Sequence, residues 1–337
     1  NQTTIVVGSV VGLVFGGFLA TYLGWRSIFW INLPIGIFAT IWSHAKMKEL
    51  GTIGKEKIDW LGNATFAGGL FLILLGVTFG SFKTINLFLT FLSIATGMSM
   101  LVFFTLIEKR VPRPMFDLSL FKIRIFTGGN IAIFLNALAR GAFTLIMSFY
   151  LQGPSMKLSA LNAGIYLIPV SIALATFAPL SGWLYDKYKL RMSAALGLLI
   201  SSIGFFLLIK ISATTSFYQI VLPLFLVGAG MGIFASPNRA SIMTSVPIYR
   251  RGASAGISTS FVMTGNAFSI GLVFLIMTNV IPTHAAEQLF SSSFPTSSQF
   301  STATVVKFLS SVRLIFFVSA IMMLASVIPS IIKWNKK

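Results

Sequence analysis

The sequence contains no cysteine and only two histidines, His44 and His284. The absence of cysteine excludes disulfides, thiolate metal sites and cysteine nucleophiles. The two histidines are far apart in the chain and have no partners at ligand spacing. We therefore expect no metal site, no cofactor and no enzymatic activity.

Charged residues are also scarce, at 9% of the 337 residues, whereas 55% of the residues are hydrophobic. A soluble domain of this length could not cover its surface with so few charges, but a lipid bilayer requires no such cover. The charges are mostly basic, with 25 Lys and Arg against 7 Asp and Glu. A basic excess is typical of nucleic-acid binding or of the cytoplasmic loops of membrane proteins, and position along the chain distinguishes the two.

Long apolar runs account for most of the chain. A transmembrane helix needs about 20 mainly apolar residues, and helices satisfy their backbone hydrogen bonds internally in lipid. The sequence therefore predicts an all-α, polytopic membrane protein with about ten transmembrane helices. The predicted spans are 4–23, 28–42, 61–79, 86–107, 125–151, 160–185, 192–209, 217–237, 252–281 and 314–332.

The distribution of basic residues favours one topology. If both ends of the chain are cytoplasmic, 18 of the 25 Lys and Arg residues, including Arg239, fall in inside loops. Six fall outside, and only Arg140 lies within a span. This asymmetry predicts a multi-pass protein of the cell membrane with both chain ends in the cytoplasm. Because the basic residues form loops rather than a groove, we expect no nucleic-acid partner.

Two motifs near the start of the chain are the most specific. The first is a set of four glycines, three of them at a spacing of four, which by itself indicates close helix packing, and the second is a tight turn between two spans. The three glycines at that spacing are Gly8, Gly12 and Gly16, the fourth is Gly17, and the turn contains Trp25, Arg26, Asn32 and Pro34. This stretch resembles the fifth and sixth helices of the major facilitator superfamily, most closely its fourteen-helix drug:proton antiporter branch. Leu13 stands where the family has a proline that helps to bend the helix associated with antiport.

The resemblance extends through most of the chain and implies a domain organisation. Residues 1–45 would be the last two helices of the N-terminal bundle, 46–107 a cytoplasmic loop with two linker helices, and 108–337 the C-terminal six-helix bundle. The first four family helices would be missing N-terminal partners of this chain. The family's proton-carrying carboxylate usually lies in its first helix. Here no acidic residue is expected to be buried in a span, so we expect no coupling residue in this chain.

A cytoplasmic motif of the superfamily is matched in residues 182–191. The matching residues are Gly182, Asp186, Lys187 and Arg191, with Lys189 where a glycine is usual. The resemblance implies that this loop gates the inner side by pairing with a neighbouring helix end. A solvated loop without such a role is the alternative.

Arg140 is the one charge predicted deep within a span, and it needs protein or water around it. It is either a cavity residue that attracts anionic substrates or lowers a carboxylate pKa, or a structural tie between helices. Asn136, Gln152 and Asn266 are further cavity candidates, although interhelical hydrogen bonds would explain them equally well. A glycine-rich run at 228–232 lies inside an apolar span, which predicts helix packing rather than a nucleotide loop.

The resemblance implies a secondary active transporter that works by alternating access. Its expected activity is proton-coupled efflux of drugs or other small amphipathic molecules, so its partners would be a small-molecule substrate, protons and the lipid bilayer. A proton-coupled importer of a small metabolite on the same fold is the nearest alternative. A membrane channel or non-transporting scaffold is the second, although a channel would show a repeated polar face lining a pore, which the sequence lacks.

Overall fold

The computed structural model describes residues 8, 12, 15–46, 59–111, 114–188, 192–281 and 301–332. Over these ranges the chain is helical almost throughout and contains no strand. A helical segment at 15–22 precedes ten α-helices. They are α1 (Arg26–Lys46), α2 (Trp60–Ser81), α3 (Leu87–Glu108), α4 (Arg124–Arg140), α5 (Phe143–Gln152), α6 (Ala160–Tyr188), α7 (Ser193–Leu208), α8 (Phe217–Ser245), α9 (Arg251–Val280) and α10 (Thr302–Ile332).

The all-helical membrane fold is confirmed. Eight helical stretches in the described ranges are long and apolar enough to cross a membrane, with α4 and α5 forming one of them. The shorter α7 is apolar along its 16 residues. The predicted span at 4–23 lies largely outside the described residues.

The prediction for the last span was wrong at its start. α10 begins at Thr302 rather than at Leu314, so the end of the predicted outer loop is helical. Hydroxyl groups in this stretch are compatible with a helix because they donate to carbonyls of the preceding turn, as Ser310 does to Val306 at 3.0 Å. The remainder of that loop, 282–300, lies outside the described residues.

The span predicted at 125–151 is interrupted. α4 ends at Arg140 and α5 begins at Phe143. The interruption lies where α9 crosses closely, since a Cβ atom added to Gly141 would lie 2.6 Å from the Cα atom of Asn266. At the break, the Ala142 N–H donates to the Ser269 hydroxyl of α9 at 2.9 Å. A side chain from a distant helix thus satisfies the backbone where the helix is interrupted.

α8 packs between α6 and α7 through the glycine run at 228–232. A Cβ atom on Gly232 would lie 2.8 Å from the Ala178 nitrogen of α6, and the space beside Gly230 is filled by Gly197 and Ser201 of α7. Ser201 also donates to the Val227 carbonyl at 2.9 Å. These backbone-to-backbone contacts confirm the prediction that the run serves helix packing.

Helices α4 to α10 share one apolar core, which includes Tyr150, Phe205 and Phe316. The α2–α3 hairpin attaches to this bundle in two places. Near the connection to α4, Phe116 contacts Phe66 and Phe104 of the hairpin, with ring centroids 5.1 and 5.5 Å away. At the opposite end, the hairpin packs on α9, where Phe82 and Phe274 lie 5.4 Å apart.

Candidate functional site

A cavity of about 430 Å³ opens between α4, α6, α8 and α9. Its walls are largely apolar, and its polar groups come from α4, α8 and α9. The lining residues are Ile133, Asn136, Arg140, Leu174, Met231, Phe234, Ala235, Arg239, Ser258, Thr259, Val262 and Met263. A concave, mostly apolar space with a few convergent polar groups is the usual form of a small-molecule site.

Arg140, the last residue of α4, is half-buried at this cavity. Its Nε donates to the Asn136 side-chain oxygen at 2.9 Å, because residues four apart lie on the same face of a helix. The Asn136 amide nitrogen in turn lies 3.4 Å from the sulfur of Met323 on α10. In the part of the chain that the structure describes, the terminal guanidinium nitrogens of Arg140 have no hydrogen bond or ion pair.

A second cavity, of about 420 Å³, lies on the other side of Arg140. It shares Arg140, Leu174 and Met231 with the first cavity, and Gly8 and Gly12 contribute to its lining. Gly8 and Gly12 therefore line a cavity together with Arg140.

The other two motif glycines lie further along the N-terminal helical segment. Gly16 is half-buried, and a Cβ atom added to it would meet no atom within 4 Å. Gly17 packs against the start of α6, where an added Cβ atom would lie 2.7 Å from the Ala160 oxygen. Thr21 reinforces this contact by accepting a hydrogen bond from the Leu161 N–H at 3.2 Å. Within the glycine motif, Gly17 is thus packed against another helix, whereas Gly8 and Gly12 line the second cavity.

Arg239 is a cavity residue that the sequence analysis missed. The predicted span ended at Pro237 and placed Arg239 in an inside loop, but α8 continues through Pro237 to Ser245. A spacing of four from Met231 to Ala235 to Arg239 puts these side chains on one face, and all three line the first cavity. That spacing is the sequence pattern from which Arg239 could have been placed at the cavity.

The remaining cavity candidates lie elsewhere. Gln152 is half-buried at the end of α5 and lines neither cavity. Asn266 is half-buried on α9 beside the break at Gly141, and its side-chain oxygen is buried without a hydrogen-bond partner. It also lines neither cavity.

The turn motif has local roles in the structure. Gly24 adopts a φ of +80°, which favours glycine, and lets the chain reverse before α1. The Arg26 guanidinium lies 5.5 Å from the Trp25 ring centroid. Asn32 donates to the Ile28 carbonyl at 2.8 Å, and Pro34 lies inside α1.

The predicted gating loop is helical where it is described. α6 continues to Tyr188, so Gly182, Asp186 and Lys187 lie on its last turns rather than in a loop. The Lys187 ammonium lies 4.8 Å from the Trp183 ring centroid, and Asp186 is exposed. Arg191 lies outside the described residues.

A carboxylate is buried at the end of a predicted span. The sequence placed every acid in a loop or at a span end, and Glu108, one residue beyond the predicted span 86–107, is the last residue of α3 and is 3% exposed. Neither of its oxygens reaches a hydrogen-bond partner, although the backbone amides of Met115 and Phe116 face it. Asp59, the N-cap of α2, lies beside it and shares the space above Gly62. The burial of Glu108, which the sequence did not predict, arises because the hairpin and the 114–116 segment close over this span end.

Among the residues that the structure describes, no acid lines either cavity. Of the acids in the described ranges, Asp59 and Glu108 lie at the α2–α3 hairpin and Asp186 at the end of α6. Asp117 pairs with Arg250 at 2.8 Å. The cavity thus holds two guanidinium groups and no described carboxylate.

Comparison with known proteins gives consistent matches. The family profile described as Major Facilitator Superfamily matches residues 1–270. The uncharacterized transporter YebQ of Escherichia coli (strain K12) is 27% identical over 82% of this chain and 60% of its own length. The multidrug transporter protein MdtP of Bacillus subtilis (strain 168) is 27% identical over 80% of this chain and 50% of its own. The riboflavin transporter RibZ of Clostridioides difficile (strain 630) is 30% identical over 80% and 57%. The chain spans between half and three fifths of the length of these relatives.

Proposed function

Because the chain belongs to the major facilitator superfamily, we propose that it forms part of a secondary active transporter that exports small amphipathic molecules in exchange for protons. In such a transporter, two helical bundles move against each other around a central site, so that the site opens to one side of the membrane at a time. We assign residues 1–45 to the first bundle, 46–107 to the linker and 108–337 to the second bundle.

The observation that carries the proposal is the position of Arg140 between two cavities. One cavity lies within the second bundle, and the other is bounded by Gly8 and Gly12 of the N-terminal segment and by α4 and α6. A site that exchanges access between two sides must be reachable from both bundles, and this is supported by a cavity that is lined by Arg140 together with Gly8 and Gly12. The apolar walls at Met231 and Phe234 suit an amphipathic substrate because methionine and aromatic side chains adapt to varied shapes.

Two relatives bear on the substrate class. MdtP is named as a multidrug transporter, which supports drugs as substrates, whereas RibZ is named as a riboflavin transporter, which supports a metabolite as the second candidate. A channel has less support, because the described cavities are bounded pockets rather than a continuous polar pore.

The test measures transport by the full-length protein in everted membrane vesicles. A fluorescent amphipathic dye is added to the medium outside the vesicles. An exporter coupled to protons should accumulate the dye only when the vesicle interior is acidic, and a protonophore should abolish the accumulation. An importer should instead release preloaded dye under the same gradient. Equal dye flux with and without the gradient would identify a channel.

We also propose that the connections at Lys83 and Lys157 face outside and that Arg250 faces the cytoplasm, as the positive charge distribution suggests. Both lysines lie at turns, with φ of 55°. Since the chain has no cysteine, single cysteines at these three positions can be labelled without background. An impermeant maleimide should label positions 83 and 157 in intact cells and position 250 only after permeabilisation. Labelling in the opposite pattern would invert the topology.

A further inference from the structure

We propose that the cavity between α4, α6, α8 and α9 binds a carboxylate group of its ligand through Arg140 and Arg239. The substrate class would then be amphipathic anions and zwitterions rather than simple amphipathic cations. This inference deepens the proposed function and rests on it for the transport step, whereas the binding step can be tested separately.

The first argument is charge. Two guanidinium groups line one cavity, and no acidic residue among the described ones does so. Asp117 is already paired with Arg250, and neither residue lines the cavity. A cationic ligand would meet repulsion from both arginines at short range in a medium of low dielectric constant, whereas an anion would be attracted by both.

The second argument is the orientation of Arg140. Asn136 accepts from its Nε at 2.9 Å, and Asn136 is itself positioned against Met323. The two terminal nitrogens have no partner among the described residues. A guanidinium held in this way presents a planar pair of donors, which matches the two oxygens of a carboxylate. The hydrogen bond to Asn136 therefore leaves the terminal nitrogens available for a ligand. Because it already fixes the Arg140 side chain, less conformational entropy is lost when the ligand binds.

The third argument is the shape of the apolar wall. Met231, Phe234 and Met263 face the cavity beside the arginines. The hydroxyl groups of Ser258 and Thr259 already donate to Asn130 and Ala255. The hydrogen-bond donors of the cavity that remain free are thus mainly those of the guanidinium groups, and the remaining surface accommodates an apolar group. A ligand with one acidic group on an aromatic or aliphatic body matches this distribution.

Arg239 extends the positive surface along α8. It lies eight residues after Met231 on the same face, which corresponds to about 12 Å along the helix axis at 1.5 Å per residue. Arg239 is exposed, whereas Arg140 is half-buried. Arg239 would attract the anion at the mouth of the cavity, and Arg140 would hold it at the inner end. Charges that line a cleft with apolar walls raise the rate of association in this way.

The rival explanation is that a carboxylate from another part of the protein neutralises Arg140. That arrangement would leave no net attraction for anions at the inner end of the cavity. A parent protein of this kind would not prefer an anion, and its Arg140→Gln variant, left with an unpaired carboxylate, would prefer a cation. An unpaired Arg140 instead makes the parent protein prefer the anion, so the two explanations predict different ligand preferences.

The experiment uses two dyes with the same xanthene core and the purified full-length protein in detergent. Rhodamine B carries a carboxylate beside its cationic xanthene, and its methyl ester is the same cation without the carboxylate. Fluorescence anisotropy gives the Kd of each dye for the parent protein and for Arg140→Gln, Arg239→Gln and Arg251→Gln. Arg251→Gln is the matched control because it removes the same charge from α9 at a residue that lines neither cavity.

Rhodamine B should bind the parent protein about tenfold more tightly than the ester, or better, since hydrogen bonds to charged groups are worth at least this factor. Arg140→Gln should remove most of this preference, because it weakens rhodamine B binding severalfold and relieves the repulsion of the cationic ester. Arg239→Gln should mainly slow rhodamine B association, with an effect that fades at high salt. Arg251→Gln should change neither Kd by more than about twofold.

Tighter binding of the ester, equal binding of both dyes or binding of neither would overturn the inference. Tighter binding of the ester than of rhodamine B by Arg140→Gln would do so as well, in favour of a carboxylate partner within the protein. If Arg140→Gln does not fold, as judged by size-exclusion chromatography, Arg140→Lys replaces it. Lysine keeps the charge but loses the planar pair of donors, so rhodamine B binding should still weaken severalfold. Rhodamine B binding without proton-driven transport would uphold this inference while refuting the proposed function.

Discussion

Replacing Gly197 by alanine should destabilise the second bundle, although alanine is the better helix former. Gly197 lies on α7 where the helix contacts the backbone of α8. A Cβ atom at this position would lie 2.6 Å from the Phe234 nitrogen and 2.7 Å from the Gly230 oxygen. Both neighbours are backbone atoms, so neither can rotate away, and the two helices must separate.

The geometry sets the magnitude. Ordinary contact begins at 3.4 Å, so α7 and α8 must separate locally by about 0.8 Å. A gap of that size forfeits roughly a quarter to a half of the dispersion energy of the atoms that line it. It also lengthens the bond from Ser201 to Val227, now 2.9 Å, one turn further along the same face. Overpacking typically costs about 1–3 kcal/mol, and alanine returns about 0.5–1 kcal/mol of helix propensity. The free energy of unfolding should therefore fall by about 1–2 kcal/mol.

The measurement is reversible unfolding of the purified protein in SDS mixed micelles, followed by circular dichroism. Gly271→Ala is the matched control, because a Cβ atom there would meet Val77 and Leu74 side chains at 3.5 and 3.8 Å, which is ordinary contact. This variant should be neutral or stabilised by up to about 1 kcal/mol.

A Gly197→Ala protein at least as stable as the parent would refute the close approach of α7 and α8. Equal destabilisation of Gly271→Ala would also count against the reasoning, since it would point to a general intolerance of alanine rather than to local overpacking.

Three further predictions concern transport and packing in the full-length protein. Arg140→Ala should abolish transport at normal membrane abundance, and Arg140→Lys should restore it only in part; efflux and surface labelling measured together would reveal a structural role if abundance also fell. Ser269→Ala should leave the Ala142 N–H at the helix break without its acceptor and cost about 1–3 kcal/mol in SDS unfolding, whereas Ser269→Thr should cost less. Arg250→Gln should change stability by no more than about 1 kcal/mol, because its pair with Asp117 is partly exposed; a larger loss would give that pair a structural role.

Predictions that depended on local hydropathy agreed with the structure. The helices at Trp60–Ser81 and Leu87–Glu108 lie within one or two residues of the predicted spans, since length and apolar content determine which segments can cross a bilayer. The packing role of the 228–232 run also followed from sequence, because glycine spacing on an apolar helix is a local property. Hydropathy failed to predict where the last helix begins. The helix begins at Thr302, in a hydroxyl-rich stretch, whereas hydropathy alone would place its start later.

The candidate site could be predicted only in part. The isolated charge of Arg140 in an apolar span was visible in the sequence, and its neighbour Asn136 followed from helical spacing. That Arg239 lines the same cavity was missed, because the predicted span ended at Pro237 whereas α8 continues past it. The placement of Gly8 beside Arg140 also depended on how the helices assemble.

The sequence by itself determined that this chain is a bundle of transmembrane helices with one exceptional charge, because the cost of exposing polar groups to lipid acts on each segment separately. The tertiary structure decided which groups meet. It brought Arg140 and Arg239 to one cavity, interrupted α4 at Gly141 where α9 crosses, and buried Glu108 beneath the 114–116 segment. Each of these outcomes depends on contacts between residues far apart in the chain, and such contacts leave no periodic pattern in the segments that make them.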